Sequence, residues 1–513
     1  MNKDVVHRLA LVTVSLTLSA CGRQVVEVER IVEKPVEKIV EKPVDRIVTV
    51  EGELPLVPIR TRAEKPDCGA AAGAAGRTGA ALRDFRARTF VPLRAGMAAQ
   101  AADLPDNLQT ALFGMRTLLN REYNGPGSAD RQALHAKYEK LFRSAYPNAF
   151  ASYAQDERTD ALMVRYADEM DDGHTYFIPN AYFAALKASF ENSAEPAPSF
   201  GLDFSTVPGA DGAVLRSVRH DGPAFAAGLR RGDVILAVNG VTLSRESTSS
   251  ATYVKYATLL AEASGGADPA VFLVSRAGEQ REVTVRAAVL GGSEAPWGEV
   301  RTTPGGKKVL YLVIPTFLSL EVAERVHALV RAASGAGVEG VVVNLRDNGG
   351  GYVIMNDGAA GAFTDKAIAT TFETLDANDV TYGYSDGAIR VFNVCGDRID
   401  LPLSAPTLWK GRTAVLLNGR SASGSEFFAR SVSTLAGARL IGTRTAGVAN
   451  SSTNVYELPG ERAVAVTDSV VRGPDGRVLP DAITPDEEVA DDMAKLAAGT
   501  DAPLKAALDW LDR

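Results

Sequence analysis

Two short stretches of this 513-residue chain bring serine, asparagine and glycine together in a way that suits work on a carbonyl group. The first, Asn344–Gly351, reads Asn-Leu-Arg-Asp-Asn-Gly-Gly-Gly; the second, Leu417–Ala429, carries Ser421, Ser423 and Ser425, with Glu426 next. Each follows an apolar run with strand character, Val338–Leu345 and Thr413–Leu417, and the second leads into a helical pattern. Small residues let the backbone approach a substrate carbonyl closely. A serine at a helix start sits where free N–H groups and the helix dipole favour developing negative charge. That is the geometry of acyl transfer, in which a hydroxyl attacks and backbone N–H groups hold the oxyanion. Alone, a Ser/Gly-rich turn is more often just a turn, so its surroundings decide.

A serine hydroxyl needs a base. Of the five histidines, His7 lies in an N-terminal leader, His135 and His327 fall in helical patterns, and His220 follows a strand. His174 stands apart, in Asp171-Asp172-Gly173-His174-Thr175. No CxxC pair or Cys/His cluster suggests a metal, and no cofactor is expected. The net charge of -8, with no long basic run, argues against nucleic acid as the main partner.

The elements that must position these residues fall into five spans. Residues 1–20 read as a leader: Lys3 and Arg8 precede Leu9–Leu18, too short for a comfortable membrane span. Residues 21–81 read as tether and linker. An eight-residue repeat begins at Glu29, Glu37 and Asp45, where Pro35 and Pro43 forbid a continuous helix and Val and Ile favour extended chain. Stretched at ~3.3 Å per residue, residues 22–67 reach about 150 Å. Residues 82–190 read as a helical subdomain: Leu104-Pro105-Asp106 resembles a helix start, Leu108, Leu112, Met115 and Leu119 share a face, and further helices cover about 128–144 and 156–170. Residues 191–292 change to strands, glycines and one helix. Residues 293–513 alternate strand and helix, as α/β units do around a buried sheet, before an acidic stretch at Asp486–Ala498 and a closing helix, Pro503–Asp512.

Three resemblances follow from these residues. Leu18-Ser19-Ala20-Cys21 resembles the lipobox of bacterial lipoproteins, which implies acylation at Cys21; Gly22 in place of an aspartate implies outer-membrane anchoring facing the periplasm. An ordinary secretory peptide is the alternative. In that compartment a disulfide between Cys68 and Cys395 is permitted, though sequence does not establish it. Phe200–Phe204 and Gly222–Gly240 resemble a PDZ domain, whose loop, here at Gly201 and Leu202, presents N–H groups to a peptide carboxylate while the peptide adds a strand. A PDZ fold used only for packing or autoinhibition is the other reading.

Together with the two serine and glycine stretches, Leu104–Val489 resembles the tail-specific, or carboxyl-terminal processing, serine proteases. That implies a crotonase-like catalytic core with an inserted PDZ-like domain and an N-terminal helical subdomain. It also implies Ser423 as nucleophile, oxyanion donors at Gly424 and at Gly350 or Gly351, and protein or peptide substrates, engaged through their C-termini. Many members activate the serine with a lysine in a Thr-x-Gly-Lys-Gly segment; here Thr445-Ala446-Gly447-Val448-Ala449 puts Val448 in that place. Tricorn-like relatives use the histidine of an Asp-Gly-His-Thr segment, which matches His174; in lysine-type members that histidine is structural. For the third triad member Glu426 is expected, with Asp481 the alternative. A catalytically inactive peptide-binding scaffold and a structural envelope protein are the rival functions.

Overall fold

The computed structural model describes residues 58–66, 68, 108–145, 157–180, 182–183, 197–396, 398–458 and 461–513. The leader, the lipobox at Cys21, the repeat tether and the expected helix start at Asp106 lie outside the described residues.

Helices α1 (Leu108–Arg121), α2 (Arg131–Ala145) and α3 (Glu157–Asp168) form where the three-and-four spacing placed them. Their buried faces, with Leu112, Met115, Leu119, Phe142 and Tyr166, close on each other and on Phe177, Tyr456 and Val464. Strand β1 (Tyr176–Ile178) follows and pairs antiparallel with residues 463–465. His174 is thereby held between the helical layer and a sheet.

Strands β2 (Leu202–Ser205), β3 (Ala213–Val218), β4 (Val234–Val238), β5 (Ala270–Arg276) and β6 (Glu279–Val285) make an antiparallel sheet in the order β2-β3-β4-β5-β6. Helix α4 (Ser249–Ser264), capped by Thr248 Oγ1 accepting from Ala251 N–H, packs Tyr256, Ala257 and Leu260 on its core.

From Trp297 the chain weaves two sheets. β7 (Trp297–Thr302), β8 (Lys308–Val313) and, after α5 (Val322–Gly335), β9 (Gly340–Asn344) begin the first. After α6 (Val353–Ala360), strands β10 (Ile368–Glu373), β11 (Val380–Ser385), β12 (Ala388–Asn393) and β13 (Arg398–Pro402) form an antiparallel meander in the second. β14 (Arg412–Leu417), α7 (Gly424–Ala436) and β15 (Arg439–Gly442) return to the first sheet; β16 (Ser451–Leu458) and β17 (Arg462–Arg472) go back to the second. β18 (Glu487–Glu488), α8 (Met493–Ala497) and α9 (Ala502–Asp512) close the chain.

The first sheet runs β7-β8-β9-β14-β15-β18 and is parallel except for β7. Every residue of β9 is buried, as expected of a parallel strand covered on both faces. Alternate side chains serve opposite layers. Val341, Val343, Val415 and Leu417 meet Val326, Ile354 and Phe428 of α5, α6 and α7. Val342, Ala414 and Leu416 meet Leu504, Ala507 and Leu511 of α9.

Two expectations are corrected. The α/β reading of residues 293–513 holds for the first sheet only; the second is antiparallel, ordered β1-β17-β10-β11-β12-β13 with β16 on β17. The linker reading of residues 21–81 fails at residues 58–66 and 68, which are tied to the core. Arg60 N–H donates to Asn120 O and Ala63 N–H to Leu375 O, Arg62 forks onto Asp379, and Cys68 is disulfide-bonded to Cys395.

Candidate active site

β9 and β14 are parallel neighbours, so the turns that follow them emerge side by side at the carboxyl end of the sheet. Two serines latch the turns together. Ser421 Oγ donates to Leu345 O (2.8 Å) and accepts from Asn418 N–H (3.0 Å), while Ser425 Oγ donates to Asn348 O (2.8 Å). Both are wholly buried. Ser423 between them is the partly exposed one, at the N-cap of α7 with φ 50° and ψ -113°. Such a backbone costs a non-glycine residue roughly 1–3 kcal/mol and persists only where its neighbours over-determine it. The latches on either side do so. A strained strand-to-helix turn that lifts a serine is the arrangement of a nucleophile elbow.

Glycine is required opposite. Gly350 has φ +95°, and a Cβ there would meet Ala422 O and Gly424 N at 2.7 Å and Ser423 Cβ at 2.9 Å. Gly351 has φ +139°, and a Cβ would run into the Phe317 carbonyl carbon. The two expected oxyanion candidates part company here: Gly350 N–H donates to Asn348 Oδ1 (2.8 Å), whereas neither Gly351 N–H nor Gly424 N–H is donated to a described residue. Gly351 N lies 3.3 Å from where a Gly424 Cβ would be, so the two free donors flank one point beside Ser423. Wholly buried Asn348, which also donates from Nδ2 to Ile314 O (2.7 Å), sets this turn. Sequence reasoning missed its part, although asparagine ahead of glycines is a turn signal.

Glu426 is buried and fully occupied. Its carboxylate accepts from Ser423 N–H (2.8 Å), Thr445 Oγ1 (2.5 Å), Gly447 N–H (3.1 Å) and Val448 N–H (3.2 Å). Burial pushes it up to about 7, opposed by those four donors. It therefore braces the serine turn, and none of its hydrogen bonds is to His174. Asp481 bonds elsewhere too: it pairs with Arg444 (2.8 Å) and caps Ala482 N–H, largely exposed. Val448, in the lysine's place, is buried.

His174 sits on a turn tied by Asp172, whose Oδ1 accepts from His174 N–H (3.0 Å) and Thr175 N–H (2.7 Å) and whose Oδ2 accepts from Thr175 Oγ1 (2.8 Å). Its ring Nδ1 lies 2.8 Å from Ser451 Oγ at the start of β16. A Cβ on Gly173 would touch Val448 Cγ1 at 3.5 Å, so the histidine turn rests on the segment that holds Glu426. Ser423, Glu426, Val448 and His174 are thus successive neighbours, with no hydrogen bond between Ser423 and His174. Burial lowers the imidazole to about 4 against the raising effect of Asp172, leaving the ring neutral at pH 7.

In the antiparallel sheet of residues 202–285, β2 lies at an edge, paired with β3 alone. Gly201 at its head has φ +70° and donates its N–H to Ser199 Oγ (3.1 Å); Leu202 opens the strand. Arg231 joins this domain to the catalytic turns: it bonds Asp491 Oδ1 (2.5 Å) and lies 3.6 Å from Asp347, beside wholly buried Arg346 on Asp491 and Asp501. The sequence reading did not find this network. Among the described residues no group of three or more His, Cys, Asp or Glu could hold a metal ion. No helix among them is long and apolar enough to cross a membrane.

Residues 308–489 match the model of peptidase family S41, and residues 214–267 match that of a PDZ domain. The segment that holds both turns is thus similar to a family of serine peptidases, which are hydrolases, and the antiparallel sheet ahead of it is similar to a PDZ domain. Among solved structures it is similar to the photosystem II D1 C-terminal processing protease, with TM-score 0.43 and 19% identity over 78% of this chain and 98% of that one. Mature CPAF gives TM-score 0.44 and 13% identity over 79% and 95%. The tricorn protease gives 0.39 and 14% over 79% and 36%. No curated protein sequence matches.

Proposed function

We propose that this chain is an envelope endopeptidase, lipid-anchored through Cys21, that cleaves protein or peptide substrates with Ser423 as nucleophile and His174 as base. The observation that carries the reading is the contrast among three neighbouring serines. Ser421 and Ser425 are buried latches, while Ser423 alone reaches the surface, strained, beside two unused N–H groups. In this reading the core is crotonase-like. Ser423 Oγ attacks the peptide carbonyl carbon and its proton passes to His174 Nε2. The oxyanion sits between Gly351 and Gly424 N–H, with Gly350 shaping the turn. Collapse expels the amine, which takes the proton from His174, and water then releases the acyl group by the same steps. The base assignment is supported by buried Val448 in the lysine's place and by the rest of His174's turn on that segment. Catalytic hydrogen bonds that are open in a free enzyme close when substrate binds.

The test is labelling by a fluorophosphonate serine probe, together with hydrolysis of peptides carrying free or amidated C-termini. Wild type should label, and Ser423→Ala should lose labelling and on the order of 10⁴-fold or more in hydrolysis while keeping its fold. Labelling that survives in Ser423→Ala sinks the nucleophile assignment; an unlabelled wild type points to an inactive scaffold. Equal turnover of free and amidated peptides removes the C-terminal recognition ascribed to Gly201 and Leu202. For the anchor, Cys21→Ala should move the protein from the membrane pellet to the supernatant after a high-salt wash, since several acyl chains at ~0.8 kcal/mol per CH₂ are lost. A pelleting alanine variant would refute the anchor.

A further inference from the structure

We propose that Ser451 is the positioning residue for the His174 ring, taking with a hydroxyl the place a carboxylate holds in a serine–histidine–aspartate site. The inference rests on the reading of His174 as base. An imidazole accepts a proton at Nε2 only when its own hydrogen is on Nδ1. Ser451 Oγ lies 2.8 Å from Nδ1, with His174 4% exposed and Ser451 0%. In this assignment Nδ1–H donates to Ser451 Oγ, so Nε2 keeps its lone pair.

Ser451 opens β16 and is registered opposite Val470 of β17, so its backbone does not drift. Among the described residues no carboxylate is hydrogen-bonded to the His174 ring. Glu426 is occupied by four donors and reaches only the backbone of the Val448 segment. Asp481 is with Arg444. Asp172, the charged group acting on the ring, spends both oxygens on the His174 and Thr175 turn, and β17 contributes the neutral Thr467 hydroxyl to Thr175. During attack the Ser423 proton passes to Nε2 while the Nδ1 hydrogen stays bonded to Ser451; the leaving amine then takes the Nε2 proton. A hydroxyl orients the ring without a negative charge to stabilise the imidazolium. The base therefore stays neutral, and available, well into the acid range.

The test uses the full-length protein with Ser451→Ala, Ser451→Thr, Ser451→Asp and His174→Gln. Fluorophosphonate kinact and KI are measured against pH, with thermal unfolding as the fold check. Losing the orienting bond should lower kinact more than about three-fold with KI within roughly two-fold, and Ser451→Thr should restore it. Ser451→Asp should move the acid limb up by about one pH unit or more, because an anion beside the ring favours imidazolium. In ¹⁵N-histidine-labelled wild type, the His174 signal, assigned by its loss in His174→Gln, should report hydrogen on Nδ1. A ring hydrogen on Nε2, a Ser451→Ala kinact within three-fold of wild type, or an unmoved acid limb in Ser451→Asp each overturns the proposal. The ¹⁵N result decides even where a Ser451 variant fails to fold. If His174→Gln labels as fast as wild type, the base assignment itself fails; if it is silent while Ser451→Ala is normal, only the role of Ser451 falls.

Discussion

Glu426 in α7 and Asp357 in α6 are both buried carboxyl groups, and they keep opposite company. Glu426 takes a donor from the serine turn and three from residues 445–448. Asp357 receives one bond, from Asn356 Nδ2 (2.7 Å), and its Oδ2 has no partner. Asn356 Oδ1 is unpartnered too, 3.4 Å from where a Gly424 Cβ would stand. Burial with so little help pushes Asp357 up to about 8, against about 7 for Glu426. A buried carboxyl with donors on both oxygens works as a brace that ties separate chain segments together. One without them is a neutral polar group tolerated behind the site.

The comparison breaks most visibly at Glu426. An amide in its place offers one acceptor oxygen and turns an NH₂ toward N–H groups. Glu426→Gln should cost ~2–3 kcal/mol of stability and about 100-fold in fluorophosphonate labelling, as the strained Ser423 turn relaxes. Labelling within three-fold of wild type would mean that the serine latches alone hold the turn. Asp357→Asn sharpens the other half with a smaller effect. A carboxyl raised in the folded state gives stability that is full below its unfolded value, about 4, and is lost as pH climbs toward about 8. The asparagine variant lacks that loss. It should match wild type near pH 4 and exceed it by ~2 kcal/mol at pH 8 in denaturant unfolding, with labelling changed less than about two-fold. A pH-independent difference between the two proteins would show that Asp357 does not ionise with folding.

Contiguity decided what could be read from sequence. Asn344–Gly351 and Leu417–Ala429 carry their own turn chemistry, so the strand ends, the glycines and the helix start were visible as local patterns. Glu426 was visible as a residue but its bracing contacts were not, because its partners at Thr445–Val448 come from the next loop. The His174–Ser451 contact spans 277 positions and has no local signature. The second sheet escaped because residues such as Thr370, Thr371, Tyr382 and Arg390 blur its alternation. Within the acidic stretch Asp486–Ala498, Asp492 caps α8 by accepting from Ala494 and Lys495 N–H, and Leu496 packs on Val214 and Val234 of the PDZ sheet. Charge concealed a short amphipathic element there.

The Cys68–Cys395 bond has a mechanical meaning. Cys395 lies in the β12–β13 turn of the antiparallel meander, and the docked run of residues 58–66 meets Leu375 and Asp379 in the β10–β11 turn. A pull on the chain ahead of residue 58 therefore loads α1 at Asn120 first, then the meander at Leu375 and Asp379, and finally a covalent rivet.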